Sequence, residues 1–202
     1  MLDTIKNYIE KYKADLKDNN FDAFYSHMQV QALNPLLTEV FLDLDIDPLD
    51  YLTEIPGYYA TQNTKIKNLI IPSQIKVVGE DAFSECGNLE EVSIPEGVLA
   101  IRNNAFYSCN KLEKINLPKS CLFLGSRALQ NTAIETIELP SITSIFQSTF
   151  NGCTKLKEVK FNDRVDSIDQ QAFRRCTSLI EVNLPKNLTI LGPYCFEGCQ
   201  NL

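Results

Sequence analysis

Apolar residues return along this chain in fixed columns. The stretch Ala82-Phe83-Ser84-Glu85-Cys86-Gly87-Asn88-Leu89-Glu90-Glu91-Val92-Ser93-Ile94-Pro95 sets the pattern. The columns recur as Ala105-Phe106, Cys109, Leu112, Ile115, Leu117 and Pro118, and again as Phe150, Cys153, Leu156, Val159 and Phe161. They return once more as Ala172-Phe173, Cys176, Leu179, Val182, Leu184 and Pro185, followed by a partial copy at Phe196, Cys199 and Leu202. Such a period is the signature of units that cannot bury a core alone and must stack. Within a unit of about 23 residues, Leu89-x-x-Val92-x-Ile94 ends in period-two alternation, which predicts a short strand with one buried face. Pro95 stops it, because proline cannot extend a ladder. Ile75 and Val78 predict a second extended piece. Ala82-Phe83-x-x-Cys86 has helical spacing and predicts one helical turn that brings the chain round.

A different rhythm precedes the repeat. Ile5, Ile9, Tyr12 and Leu16 predict an amphipathic helix over 3–18, and a short helix is expected from Asp22 to about Val30. Asn34-Pro35 and Asp47-Pro48 each read as a cap followed by a first helical residue, and Pro56-Gly57 ends the helical part. The expected organisation is an α-helical cap over residues 1–57 and a solenoid over 58–202. A solenoid needs such a cap, since its end rung otherwise exposes core to water.

The repeat columns resemble the BspA-type, or Treponema-type, leucine-rich repeat. The residues that carry the resemblance are Ile94-Pro95, Val98, Ile101, Ala105-Phe106, Cys109, Leu112, Ile115 and Leu117-Pro118, with their counterparts over 66–202. The resemblance implies a curved solenoid with short parallel strands, used for protein or glycan recognition. Many relatives are surface adhesins with secretion signals. A helical start joined to a few such repeats looks like small leucine-rich repeat proteins of phages and mobile elements. The expected class is therefore α+β: a leucine-rich repeat solenoid capped by an N-terminal α-helical segment. One unit departs from the pattern. Over 118–140, Leu129, Thr132 and Ile134 replace the Phe, Cys and Leu, and Leu129 to Phe150 is 21 residues. This predicts a thinner rung that bends the array or makes a notch, against the plainer reading of tolerated drift.

Composition narrows the chemistry. The chain has 202 residues, 44% hydrophobic and 22% charged, with no apolar run near the roughly 20 residues of a membrane helix. Its first residues lack the basic start and apolar core of a signal peptide, so a cytoplasmic, reducing compartment is expected. Residues 1–64 hold 11 acids and 4 bases, and the remainder 15 of each, so the net charge of −7 belongs to the N-terminal part. That balance disfavours direct binding to nucleic acid or anionic membranes.

Five of seven cysteines (Cys86, Cys109, Cys153, Cys176, Cys199) share one column, which predicts a ladder of packed free thiols. Zinc is the rival, but successive rungs would set ligands about 5 Å apart, too spread for bonds near 2.3 Å. Cys176, Cys195 and Cys199 are the one grouping that could share an ion. Asp43, Asp45, Asp47 and Glu54 match positions one, three, five and twelve of a calcium loop, yet Pro48 stands where a glycine is needed. His27 is the only histidine and sits among Phe24, Tyr25 and Met28, a packing context. No phosphate loop or nucleophile with a base is present, so no enzyme, cofactor or metal is expected.

A partner is expected on the outward positions of the strands: Glu91, Ser93, Lys114, Asn116, Glu138, Glu158, Lys160, Glu181 and Asn183. The full strand windows hold 7 acids (Glu90, Glu91, Glu113, Glu135, Glu138, Glu158, Glu181) and 3 bases (Lys114, Lys157, Lys160). An acidic strand face meeting a basic protein surface follows. The sharper readings are a phage-type inhibitor of a host defence nuclease or other nucleic-acid-processing protein, and a fragment of a secreted adhesin. Leu191 and Phe196 on the last rung are expected to support self-association.

Overall fold

A computed structural model describes residues 54, 55 and 57–202. Each repeat is one rung with a run of turns; the first five rungs carry two short strands, and the last two only the strand of the first face. Along the chain these are β1 (Glu54–Ile55), β2 (Asn68–Ile70), β3 (Val77–Val78), β4 (Glu91–Ser93), β5 (Ala100–Ile101) and β6 (Lys114–Ile115). They continue as β7 (Phe123–Leu124), β8 (Thr136–Glu138), β9 (Ser144–Ile145), β10 (Glu158–Lys160), β11 (Ser167–Ile168) and β12 (Ile190–Leu191). Strands stack in parallel with the next rung and make two faces. The first runs β1-β3-β5-β7 and resumes as β9-β11-β12; the second runs β2-β4-β6 and resumes as β8-β10. Val92 is buried between exposed Glu91 and Ser93, so period-two alternation sets the inward face as expected.

The expected α+β class is corrected. Among the described residues all regular structure is strand and turn, and the chain is a β-solenoid with no helix. Glu54–Ile55, placed in the helical cap by sequence, is a strand paired with Val77–Val78. The other helices expected before it, with His27 and the acids from Asp43 to Asp50, lie outside the described residues.

The expected helical turn at Ala82–Cys86 is also absent, for a physical reason. Asp81 and Glu85 are both left-handed, with φ of 54° and 59°, and a left-handed residue every fourth position interrupts a helix. Alternate amides then face the next rung: the N–H groups of Asp81, Phe83 and Glu85 donate to the carbonyls of Asn103, Ala105 and Tyr107. The amides between them, on Ala82, Ser84 and Cys86, close turns three residues back. The same two left-handed columns recur through Asn104 and Ser108, Arg127 and Asn131, and Gln171 and Arg175. Among the described residues twelve non-glycine positions are left-handed, at about 1–2 kcal/mol each. That sum, about 12–24 kcal/mol, is as large as the about 5–15 kcal/mol of a typical domain's net stability, so the rung-to-rung bonds must offset it.

The core is a set of stacked columns. Phe83 and Phe106 stack with centroids 5.6 Å apart at 7°, and Phe150 and Phe173 at 5.2 Å and 3°. Phe196 continues the column 5.5 Å beyond Phe173. Each column thiol has a partner in the rung before it. Cys109 donates to the Phe83 carbonyl at 3.1 Å, Cys176 to that of Phe150 at 3.2 Å and Cys199 to that of Phe173 at 3.1 Å. All seven cysteines are free.

At the unit 118–140 the pattern changes as its sequence suggested. Leu129 interrupts the ring column, and Thr132 replaces the thiol, bonding to the Leu129 carbonyl at 2.9 Å and touching Cys153 at 3.3 Å. Around this unit β6 is not bonded to β8 nor β7 to β9, although the Ala133 amide reaches the Leu112 carbonyl, so neither strand ladder is continuous. The turn ladder is: Arg127, Leu129 and Asn131 donate to Gln147, Thr149 and Asn151.

Two outcomes follow. Phe150→Ala removes a fully buried ring between two rungs and is expected to cost about 3–5 kcal/mol, read as a fall in the urea midpoint. Burial raises the Cys153 and Cys195 thiols to about 11 from the ordinary 9.0. The unfolded chain therefore loses these protons first, and this part of the stability, full below pH 9, falls as pH rises toward 11. The urea midpoint is expected to drop between pH 8 and pH 10.5, and less steeply in Cys153→Ala.

Candidate functional site

The second strand face carries the residues singled out by sequence. All nine, from Glu91 to Asn183, are exposed. The parallel register sets Asn68, Glu91 and Lys114 in one column, and Ser93 beside Ile70. From the short rung on, Thr136 stands opposite Glu158 and Glu138 opposite Lys160. The nine therefore form two blocks, since β6 and β8 are not bonded. Glu181 and Asn183 lie past the last strand of this face. Asn116 also ties two rungs together, because its amide accepts from the Ile94 N–H at 2.9 Å and donates to the Ile94 carbonyl at 2.7 Å.

This face is more balanced in charge than its strand windows suggested. Lys114 pairs with Glu91 at 3.8 Å and Lys160 with Glu158 at 3.9 Å. Lys157 reaches Glu135 at 2.8 Å and holds that carboxyl below its usual range. Lys155, outside the window that sequence reasoning counted, meets Glu113 at 2.8 Å across the short rung. Pairs this exposed contribute about 0–1 kcal/mol each, but they cancel much of the field a basic partner would feel.

The first strand face shows what sequence reasoning missed. Leu99, Leu122 and Phe123 are 46%, 57% and 38% exposed. Leu122 bonds directly to the Leu99 carbonyl, Phe123 stands opposite Ala100, and the Phe123 ring lies 5.2 Å from that of Phe146. A signal was available, because the Leu99 and Leu122 column holds Lys76, Thr143, Asp166 and Thr189 in other rungs. At the last rung Ile190, Leu191, Tyr194 and Leu202 are exposed, while Phe196 is half-buried against Phe173.

A third surface runs along the turns. A groove of about 500 Å³ crosses five rungs from Asp81 to Gln171, with Arg127 and Gln130 of the short unit midway. Asn104 donates to Asp81 at 3.3 Å and Ser148 to Gln171 at 3.4 Å. Burial raises the Asp81 carboxyl above its usual range, against the lowering effect of the Asn104 bond. The Gln130 Oε1 is buried and has no hydrogen-bond partner among the described residues.

The thiol ladder offers poor ligands. The Cys176 and Cys199 hydrogens are directed at carbonyls, and burial pushes both thiols up, so the thiolate a metal needs is disfavoured. Glu54, the last acid of the calcium spacing, pairs with Arg102 at 3.0 Å.

Comparison with known proteins accords with this geometry. The profile of the BspA type leucine rich repeat region matches residues 53–141 and 76–202, in six copies. No curated protein matches the chain at a significant level. Among solved structures, a leucine rich cell surface protein from Faecalibacterium prausnitzii is 24% identical with a TM-score of 0.66, covering 75% of this chain and 42% of that one. A leucine-rich repeat protein from Eubacterium ventriosum is 27% identical with a TM-score of 0.58, covering 72% and 46%. The pneumococcal vaccine antigen PcpA is 25% identical with a TM-score of 0.52, covering 67% and 38%. This chain thus spans less than half the length of each of these three proteins. With stacked phenylalanines, parallel rungs and a repeat profile that accounts for most of its length, the chain belongs to the BspA-type leucine-rich repeat family.

Proposed function

We propose that this chain is a non-enzymatic protein-binding module that docks its partner on the first strand face. The observation that carries this reading is the joined patch of Leu99, Leu122 and Phe123, exposed on adjacent rungs. Single exposed apolar residues are ordinary, whereas a contiguous patch supports an interaction site. Large side chains of this kind, on a rigid backbone, are what a partner can bury at low entropic cost. The second face, with its Lys–Glu pairs, supplies balanced charge at Glu91, Lys114, Glu158 and Lys160. A nuclease inhibitor would need a strongly negative face, so that reading draws no support from it. Membership of the repeat family favours a second reading, in which the module acts in an adhesin-like surface protein.

The test is capture of the partner followed by affinity measurement. Leu122→Glu with Phe123→Ser is expected to weaken binding about tenfold or more. Glu91→Lys, Glu138→Lys and Glu181→Lys together are expected to leave it within about twofold. The opposite ranking would place the docking site on the second face.

A further inference from the structure

The groove along the turns has a chemistry unlike either strand face. Apart from the Asp81 and Glu85 carboxylates and the Arg127 guanidinium, every side chain that lines it is an amide or a hydroxyl. Amides and hydroxyls offer both donors and acceptors, the pairing a ligand hydroxyl also needs. Two acids against one base leave the lining without the positive field that draws phosphates or sulfates. No apolar side chain lines it, so a peptide would find no pocket for an anchoring residue. Tyr107 adds a half-buried ring against which the C–H face of a sugar can lie.

The lining is also held in place. Asp81, Asn104, Arg127, Ser148 and Gln171 are one left-handed column, in register on successive rungs, and none is glycine although glycine would relieve the backbone. Bonds from Asn104 to Asp81 and from Ser148 to Gln171 fix side chains before any ligand arrives. The buried Gln130 Oε1 beside them is an acceptor without a donor among the described residues. That oxygen is covered as it stands, so a ligand hydroxyl would meet it only after the Gln130 side chain turns toward the groove it lines.

We infer that this groove binds a neutral oligosaccharide, lying along the turns and crossing the short rung. At about 500 Å³ the groove is of the size that holds a small ligand, so it takes a few sugar units of a longer chain. The inference does not depend on the protein-docking face, which is built from other residues.

The experiment titrates the whole chain with cellohexaose, maltohexaose and chitohexaose by calorimetry and amide chemical shifts, with a heparin hexasaccharide and an extended Gly-Ser peptide alongside. At least one neutral hexasaccharide is expected to bind, with shifts confined to the groove. Gln130→Ala and Asn151→Ala, each checked for an unchanged unfolding midpoint, are expected to weaken it tenfold or more. Lys157→Ala, on the second strand face, is expected to change nothing. No binding by any neutral sugar, binding that survives both groove variants, or preference for the anionic sugar or the peptide would overturn the assignment.

Discussion

Everything in this solenoid depends on how one residue per rung is tied to the next. The N–H groups of Phe83, Phe106, Leu129, Phe150 and Phe173 each donate to a carbonyl one rung on, those of Ala105, Ala128, Thr149, Ala172 and Cys195. At Phe83, Phe150 and Phe173 the ring stacks on the following ring and the carbonyl accepts a thiol hydrogen from that rung. Backbone bond, ring stack and thiol bond thus fix the same register. A slip of one residue would break all three together, which is why strands of only two or three residues suffice on the outer faces.

The short unit shows which of these contacts is indispensable. It lacks the ring and the thiol of the columns, and the strand ladders break beside it, at β7–β9 on one face and β6–β8 on the other, yet the turn ladder runs through unbroken. Where the left-handed pair would next place a side chain, Gly152 stands instead. A Cβ at Gly152 would sit 2.1 Å from the Asn131 Oδ1, so the missing side chain leaves room for that amide. Both candidate sites gather near this irregular unit: Leu122 and Phe123 on one face, Arg127 and Gln130 in the groove. A local breach of the pattern is where function is expected to lie.

The repeat, its period and its departing rung were legible because core positions recur in chemical type. Phe83, Cys86 and Leu89 state their columns plainly. The turns were not legible, because Asp81, Asn104, Arg127 and Ser148 share a backbone conformation but no side-chain class. Apolar spacing alone then suggested a helix for a segment whose amides look outward to the next rung. The ion pairing of that face was not legible for a related reason: Lys155 lies outside the strand window, and only stacking brings it to Glu113. Leu99 and Leu122 were visible as apolar exceptions in a polar column, but a search for inward positions passes over them.

The turn ladder is the continuous spine of the described solenoid. Residue-resolved hydrogen exchange tests this directly. The amides of Phe83, Phe106, Leu129, Phe150 and Phe173 should exchange as slowly as that of Val92, with no loss of protection at Leu129. Exchange at unfolded-chain rates in the turns, with protection confined to the strands, would contradict it.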